Sequence, residues 1–269
     1  MPELPEVETT RKGIAPHVCG NVISEIVVRQ PKLRWPVPDQ LQQLVDAAVT
    51  DVARRGKYLL LETINGTCLI HLGMSGSLRI TNRLTPPEKH DHVDIIFTNE
   101  VVLRLRDPRR FGAVLWAGCG ELHPLLIKLG PEPLTAEFSG EYLFKKSRNR
   151  RINVKAFIMD SHMVVGVGNI YANEALFAAG IDPRKAAGEI SAKCYVLLVA
   201  EIKKVLQQAI EQGGTTLRDF VREDGRTGYF QVALKVYGRS GETCVACGTM
   251  LQQIKQAQRS SWFCSVCQQ

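Results

Sequence analysis

Two cysteine knuckles near the end of the chain limit its fold more than any other feature. Cys244-x2-Cys247 and Cys264-x2-Cys267 stand sixteen residues apart, a spacing that lets four thiolates close on one tetrahedral zinc ion. The stretch between them, GTMLQQIKQAQRSSWF, is too short and polar to make a core, so metal coordination must supply much of its folding energy. A closed four-sulfur site leaves no open coordination position, which gives the zinc a structural and not a catalytic role. Spacing alone also admits a finger that is only a structural clip, such as a protein-interaction ribbon. Its inner residues Lys255, Gln256, Gln258, Arg259, Ser260 and Ser261 add donors of the kind that contact phosphate.

The other four cysteines, Cys19, Cys68, Cys119 and Cys194, lie far apart and read as buried free thiols. No export signal argues for disulfides: MPELPEVETT carries acidic residues where a signal peptide carries basic ones. No apolar run approaches the roughly 18 residues of a membrane span. A soluble, cytoplasmic protein with no membrane partner is therefore expected. The formal charge of +7 favours an acidic partner such as nucleic acid, although many basic proteins are merely soluble.

The first third is written in strand language: NVISEIVVR, KYLLLETI, TCLIHLGM, HVDIIFT and VVLRLR follow one short helical stretch near Val7 to Val18. Asn65-Gly66 suits the positive-φ turn of a tight hairpin, and Thr98-Asn99-Glu100 separates two β-branched runs. An antiparallel sandwich of two sheets fits best. LGPEPL, Leu129 to Leu134, interrupts any regular element. Helical spacing follows in EYLFKKSR, VKAFIMD, NIYANEALFAA and AKCYVLLVAEIKKVLQQAIEQ. The predicted architecture is α+β and multidomain: a β-sandwich over 1–128, a helical domain over 134–235 and a four-cysteine zinc finger over 236–269.

Four separated stretches carry a resemblance: MPELPEVE, HLGMSGSLR with DPRRFG, VGVGNIYANE, and the finger. Taken together, over essentially its whole length, the chain resembles the formamidopyrimidine-DNA glycosylases, bacterial enzymes that excise 8-oxoguanine and ring-opened purines and then cut the strand. The resemblance implies that Pro2, freed by removal of Met1, is the nucleophile that forms a Schiff base, and that Glu3 is an acid assisting sugar-ring opening. It implies that Lys57, at the start of a strand, donates a proton in the β,δ-elimination, and that Arg259 grips phosphate for the final step. Read alone, Pro-Glu-Leu-Pro-Glu is an ordinary helix start with proline in the first turn and acids at the positive dipole end.

Met74, Arg109 and Phe111 correspond to the family's void-filling trio, which occupies the base stack once the lesion is turned out. His90, Arg109, Arg151 and Asn169 correspond to DNA contacts, with Asn169 in a helix, two-turn, helix motif, and Lys155 to a residue near the lesion pocket. Gly213 to Phe230 matches a loop that closes over the extruded base. The basic run Lys145 to Arg151 reads by itself as a solvated helix face.

The glycines of VGVGNIYANE lack the lysine and hydroxyl residue of a nucleotide-binding loop. One structural zinc ion, no nucleotide or redox cofactor, damaged double-stranded DNA as partner and a monomeric state are therefore expected. Two rivals remain: an endonuclease VIII-like enzyme for oxidised pyrimidines, against which HLGMSG and DPRRFG count, and an inactive DNA-binding module, against which Pro2, Glu3 and Lys57 count.

Overall fold

The structure, a computed structural model, describes residues 2–213 and 234–269. Met1 and residues 214–230 of the expected closing loop lie outside the described residues. The described residues fall into two compact units, one built on residues up to 127 and one on 128–211 together with 234–269.

In the first unit, α1 (Leu4–Val18) precedes eight strands: β1 (Ile23–Val28), β2 (Val49–Arg55), β3 (Tyr58–Thr63), β4 (Gly66–His71), β5 (Ser77–Asn82), β6 (Asp91–Phe97), β7 (Val101–Arg106) and β8 (Ala113–Ala117). They make two antiparallel four-stranded sheets, ordered β1-β6-β7-β5 and β2-β3-β4-β8. Inward residues of both share one core: Ile26, Val93, Ile95, Leu103 and Leu105 from the first, and Val52, Leu59, Leu61, Ile70 and Val114 from the second. α1 packs against both sheets, on β2 and β3 of one and β5 and β7 of the other, which holds the start of the chain on the sandwich.

Several local expectations are corrected. The tight hairpin exists, but Thr63 pairs with Gly66, so Ile64-Asn65 forms its loop. Gly66 has φ of 139° and serves close approach: a Cβ there would lie 2.7 Å from the Ala117 carbonyl oxygen of β8. Lys57 belongs to the two-residue turn Gly56-Lys57, because Arg55 pairs with Tyr58; it does not start a strand. Of the four isolated cysteines, all free, only Cys68 is buried, and burial pushes its thiol up to about 12; Cys119 is exposed, and Cys19 and Cys194 are half-buried.

The outer face of the first sheet carries buried charge. Arg104 grips Asp94 through Nε and Nη2, both at 2.9 Å, and Arg29 adds a third contact at 2.6 Å. Burial alone would raise Asp94, but these hydrogen bonds outweigh it and hold the carboxyl below its usual range.

After α2 (Pro124–Ile127), the segment Leu129 to Leu134 has no regular element. The second unit contains α3 (Gly140–Ser147), α4 (Val154–Met159), α5 (Asn169–Ala178) and α6 (Ala192–Gly213), then the finger hairpin of β9 (Gln252–Gln256) and β10 (Arg259–Phe263). Side-chain caps start α3 and α4: Ser139 accepts from the Tyr142 N–H, and Asn153 from the Ala156 N–H. Phe138, Leu143, Phe157, Ile158, Leu176 and Tyr195 join the helices in one core. A smaller cluster joins Phe177 of α5 to Val236, Leu251, Cys244 and Cys264, so the finger rests on a helix.

Candidate catalytic and DNA-binding residues

The chain start satisfies both readings of Pro-Glu-Leu-Pro-Glu. Glu3 is the N-cap of α1, and its N–H donates to Glu6 Oε2 at 2.7 Å within a reciprocal capping box. Glu3 is also only 2% exposed, which places a buried carboxyl directly after the half-buried Pro2. One turn later Glu8 holds the Lys57 turn: Arg54 donates from Nε to Glu8 Oε2 at 2.8 Å and from Nη1 to the Gly56 carbonyl at 3.0 Å. Burial would raise Glu8, but hydrogen bonds from Arg11 and Arg54 override it and keep the carboxylate ionised.

His71 ends β4 beside this turn, with its ring centroid 4.9 Å from that of Tyr58. Its Nδ1 accepts the Gly73 N–H at 3.0 Å, which requires the neutral ring. Burial first, then the charges of Lys57 and Arg34, bring its pKa down to about 4. A histidine held neutral stabilises the fold above its unfolded pKa, and that contribution is lost as pH falls from about 6.5 towards the folded value, at about 1.4 kcal/mol per unit. The carboxylates of Glu8 and Asp94, with lowered pKa values, contribute their losses at lower pH. Urea unfolding of the N-terminal unit should therefore show about 2 kcal/mol less stability at pH 5 than at pH 6.5. His71→Gln should flatten that difference; equal midpoints for the parent at the two values would refute it.

Met74 sits on the loop after β4 and is 42% exposed; Phe111, on the loop after β7, is 44% exposed. The Arg109 guanidinium lies over the Phe111 ring, 4.8 Å from its centroid. His90 has φ of 77°, and its carbonyl accepts the Asp107 N–H at 3.0 Å. Within this unit the structure thus brings His90, Arg109 and Phe111 onto adjoining backbone and leaves the tips bare.

In the second unit α4, two turns over 160–168 and α5 form the expected helix, two-turn, helix element. Asn169 opens α5, and its amide donates to the Ser260 carbonyl at 3.2 Å. Lys155 lies on α4. It is 2% exposed, and its ammonium donates to the Ser260 carbonyl at 2.6 Å and Ser261 Oγ at 2.8 Å. These two bonds tie α4 to the finger hairpin. In the basic run, Arg148 stacks on Phe144 at 4.0 Å and donates to the Ile190 carbonyl at 2.9 Å, whereas Arg150 and Arg151 are exposed. Arg259 is exposed at the start of β10, after a turn in which Ala257 and Gln258 have φ of 44° and 63°. Two successive non-glycine residues in the left-handed region make this a strained mirror-type hairpin turn that fixes where the arginine leaves the strand.

The four knuckle sulfurs lie within 4.8 Å of one another. Cys244 and Cys267 are 3.9 Å apart, Cys247 and Cys264 3.4 Å; a regular tetrahedron with Zn–S of about 2.3 Å has edges of about 3.8 Å. Hydrogen bonds from Thr249 pull the Cys247 thiol down to about 6, while its hydrogen bond with Cys247 pushes Cys267 up to about 12. Such crowded sulfurs cannot all be anionic without a cation among them, and a divalent ion preferring thiolates fits.

Comparison with known proteins matches three segments of the chain. The family model for the formamidopyrimidine-DNA glycosylase N-terminal domain matches residues 1–114, that for its H2TH domain 129–221, and that for the zinc finger found in FPG and IleRS 241–269. The chain belongs to the formamidopyrimidine-DNA glycosylase family. Relatives of that name from Shewanella pealeana and Acidithiobacillus ferrooxidans are 54% and 56% identical over 270 and 269 residues, covering all of both chains. The crystal structure of Lactococcus lactis Fpg (MutM) with DNA containing N7-benzyl-Fapy-dG is similar at a TM-score of 0.90 and 35% identity, covering all of both chains. The finger of this family member is a zinc finger, and Cys244, Cys247, Cys264 and Cys267 form a cluster able to hold one zinc ion.

Sequence reading of this glycosylase-family chain gave no role to three residues that organise it. Asn173 accepts the Trp262 N–H at 2.8 Å and donates to the Asn169 carbonyl at 2.6 Å, tying β10 to α5. Glu174 accepts the N–H groups of Lys235, Val236 and Tyr237 at 2.9, 3.0 and 2.9 Å, fixing the chain where it enters the finger. Asp107, inside the quoted DPRRFG, is wholly buried. For Asn173 and Glu174 the available signal was polar residues in an otherwise apolar helical run; Asp107, on the loop after β7, had none.

Proposed function

We propose that this chain is a base-excision repair enzyme that removes oxidised purines, 8-oxoguanine and formamidopyrimidines, from duplex DNA and cleaves the resulting abasic site, acting as a monomer in the bacterial cytosol. The observation that carries this reading is the buried carboxyl of Glu3 directly after Pro2, in a chain that matches the family along its length.

With Met1 removed, Pro2 presents a secondary amine. An α-amino group titrates near 7.7 to 8.0, roughly, so part of it is unprotonated at neutral pH, as a lysine is not. Its nitrogen forms a bond to sugar C1′ as the C1′–base bond breaks, while Glu3 donates the proton that opens the sugar ring. The product is an iminium, which draws electrons from the C2′–H bond; loss of that proton expels the 3′ phosphate. A second elimination expels the 5′ phosphate, with Lys57 supplying a proton and Arg259 holding phosphate. Met74, Arg109 and Phe111 occupy the space left by the extruded base, for which their bare tips and the cation stacked on an aromatic ring are suited. His90, Arg151 and Asn169 bind backbone phosphate. The zinc supplies no chemistry beyond holding the finger that presents Arg259.

Duplexes carrying one 8-oxoguanine, one formamidopyrimidine, one oxidised pyrimidine or no lesion test this by product sizing. The purine lesions should be cut to a gap with phosphate at both ends. Preferential cutting at the pyrimidine would overturn the substrate assignment, and intact strands throughout would overturn the enzyme reading.

A further inference from the structure

We infer that Ser75 and Asp107 are positioning residues that lock the Met74 loop and the Arg109–Phe111 loop into one rigid wedge; the assignment rests on the function proposed above. Asp107 is fully buried, a costly place for a carboxylate unless its oxygens are satisfied. They are satisfied from both loops at once. Oδ1 accepts the Ser75 hydroxyl at 2.8 Å, Oδ2 accepts the Gly112 N–H at 2.7 Å, and the Arg109 N–H approaches Oδ1 and Ser75 Oγ, each at 3.3 Å. The backbone of Asp107 adds two ties, its N–H donating to the His90 carbonyl at 3.0 Å and its carbonyl meeting His92 Nε2 at 2.8 Å.

The two loops also pack backbone on backbone. A Cβ on Gly73 would lie 2.3 Å from the Phe111 carbonyl carbon, and one on Gly112 would lie 2.9 Å from Asp107 Oδ2 and 2.8 Å from the His71 carbonyl oxygen. Only the tips escape this packing, since Met74 and Phe111 remain about two-fifths exposed. A fixed base with bare apolar tips suits insertion into a base stack. Loops free to move separately would lose conformational freedom on entering the duplex and would miss the productive geometry.

Ser75→Ala removes the hydroxyl bridge and leaves the buried carboxylate its backbone partners. Excision from a lesion duplex should fall roughly tenfold, the scale of a small misplacement of a reacting group. Cleavage of a preformed abasic site, where no base must be extruded, should fall much less. Hydrogen exchange at the Arg109 and Gly112 amides should quicken while β4 and β7 stay protected, and Ser75→Thr, which keeps the hydroxyl, should restore both excision and protection. Equal losses on the two substrates, unchanged excision, or unchanged exchange in Ser75→Ala would each overturn the clamp. A parent protein that excises nothing would instead overturn the function reading, and the exchange comparison would still decide whether the loops are locked.

Discussion

Blocking the amine of Pro2 should abolish base excision and with it the covalent protein-DNA adduct that borohydride traps. Retaining Met1, or adding a residue ahead of Pro2, converts the amine into an amide, whose lone pair is delocalised and cannot attack C1′. The loss should exceed about 10³-fold, because the nucleophile itself is removed. In unblocked protein, peptide mapping should place the adduct on Pro2. Glu3→Gln separates the steps. It keeps a side-chain oxygen to accept the capping hydrogen bond at the start of α1, so the helix should persist, but it cannot donate the carboxyl proton. Base excision should therefore fall by about 10² or more, whereas an abasic sugar, already able to present an open-chain aldehyde, should still be cut. An adduct mapping to Lys57, or full excision with a blocked terminus, would take Pro2 out of the mechanism.

Removal of zinc should be the next largest loss. The metal contributes most of the folding energy of a segment with almost no core of its own: among its inner residues only Leu251, Ser261 and Phe263 are buried. Cys244→Ser, or chelation, should release one zinc per chain by elemental analysis. DNA affinity should drop by roughly a hundredfold, on the scale of a lost hot-spot arginine together with the contacts around it, because the ties from α4 and α5 reach β10 and leave the two knuckles to the metal. Circular dichroism should keep the strand signal of the first unit. Metal-free protein that binds DNA at full affinity would show that the finger is not part of the interface.

The sandwich, the helical element and the finger were legible in sequence because each is written with a different period or spacing. The strands missed were those where the pattern fails. β2 carries VTDVARR, with charged residues at three of its seven positions, β5 carries SLRITN, hidden behind a glycine-rich loop motif, and β8 is AVLWA, an apolar run of five with no alternation. β6 was found as a strand, but buried Asp91, His92 and Asp94 show no alternation, since Asp91 and Asp94 are paired by arginines of β5 and β7 and His92 by the Asp107 carbonyl. The residues proposed as catalytic and as the wedge were reachable only as members of motifs, because a lone Lys57 or Met74 has no local signature. Lys155 shows the limit of that route. A motif gives a position, while the burial and bonding that make the side chain an internal strut depend on residues 105 and 106 places further along the chain.

That strut has a consequence for how the finger can be inherited. A four-cysteine ribbon whose relatives occur in FPG and IleRS looks like a cassette that recombination could move between proteins. Here part of its bonding is written elsewhere: Lys155 on α4, Asn169 and Asn173 on α5, and the carbonyls of Gly180 and Ile181, which accept from Gln269 and Gln268. Moved alone into another chain, the ribbon would keep its zinc and lose its footing, and Lys155 left behind would be a buried ammonium stripped of both finger acceptors. Drift on α4 and α5 is thereby tied to drift on β10, so the three segments must diverge as one.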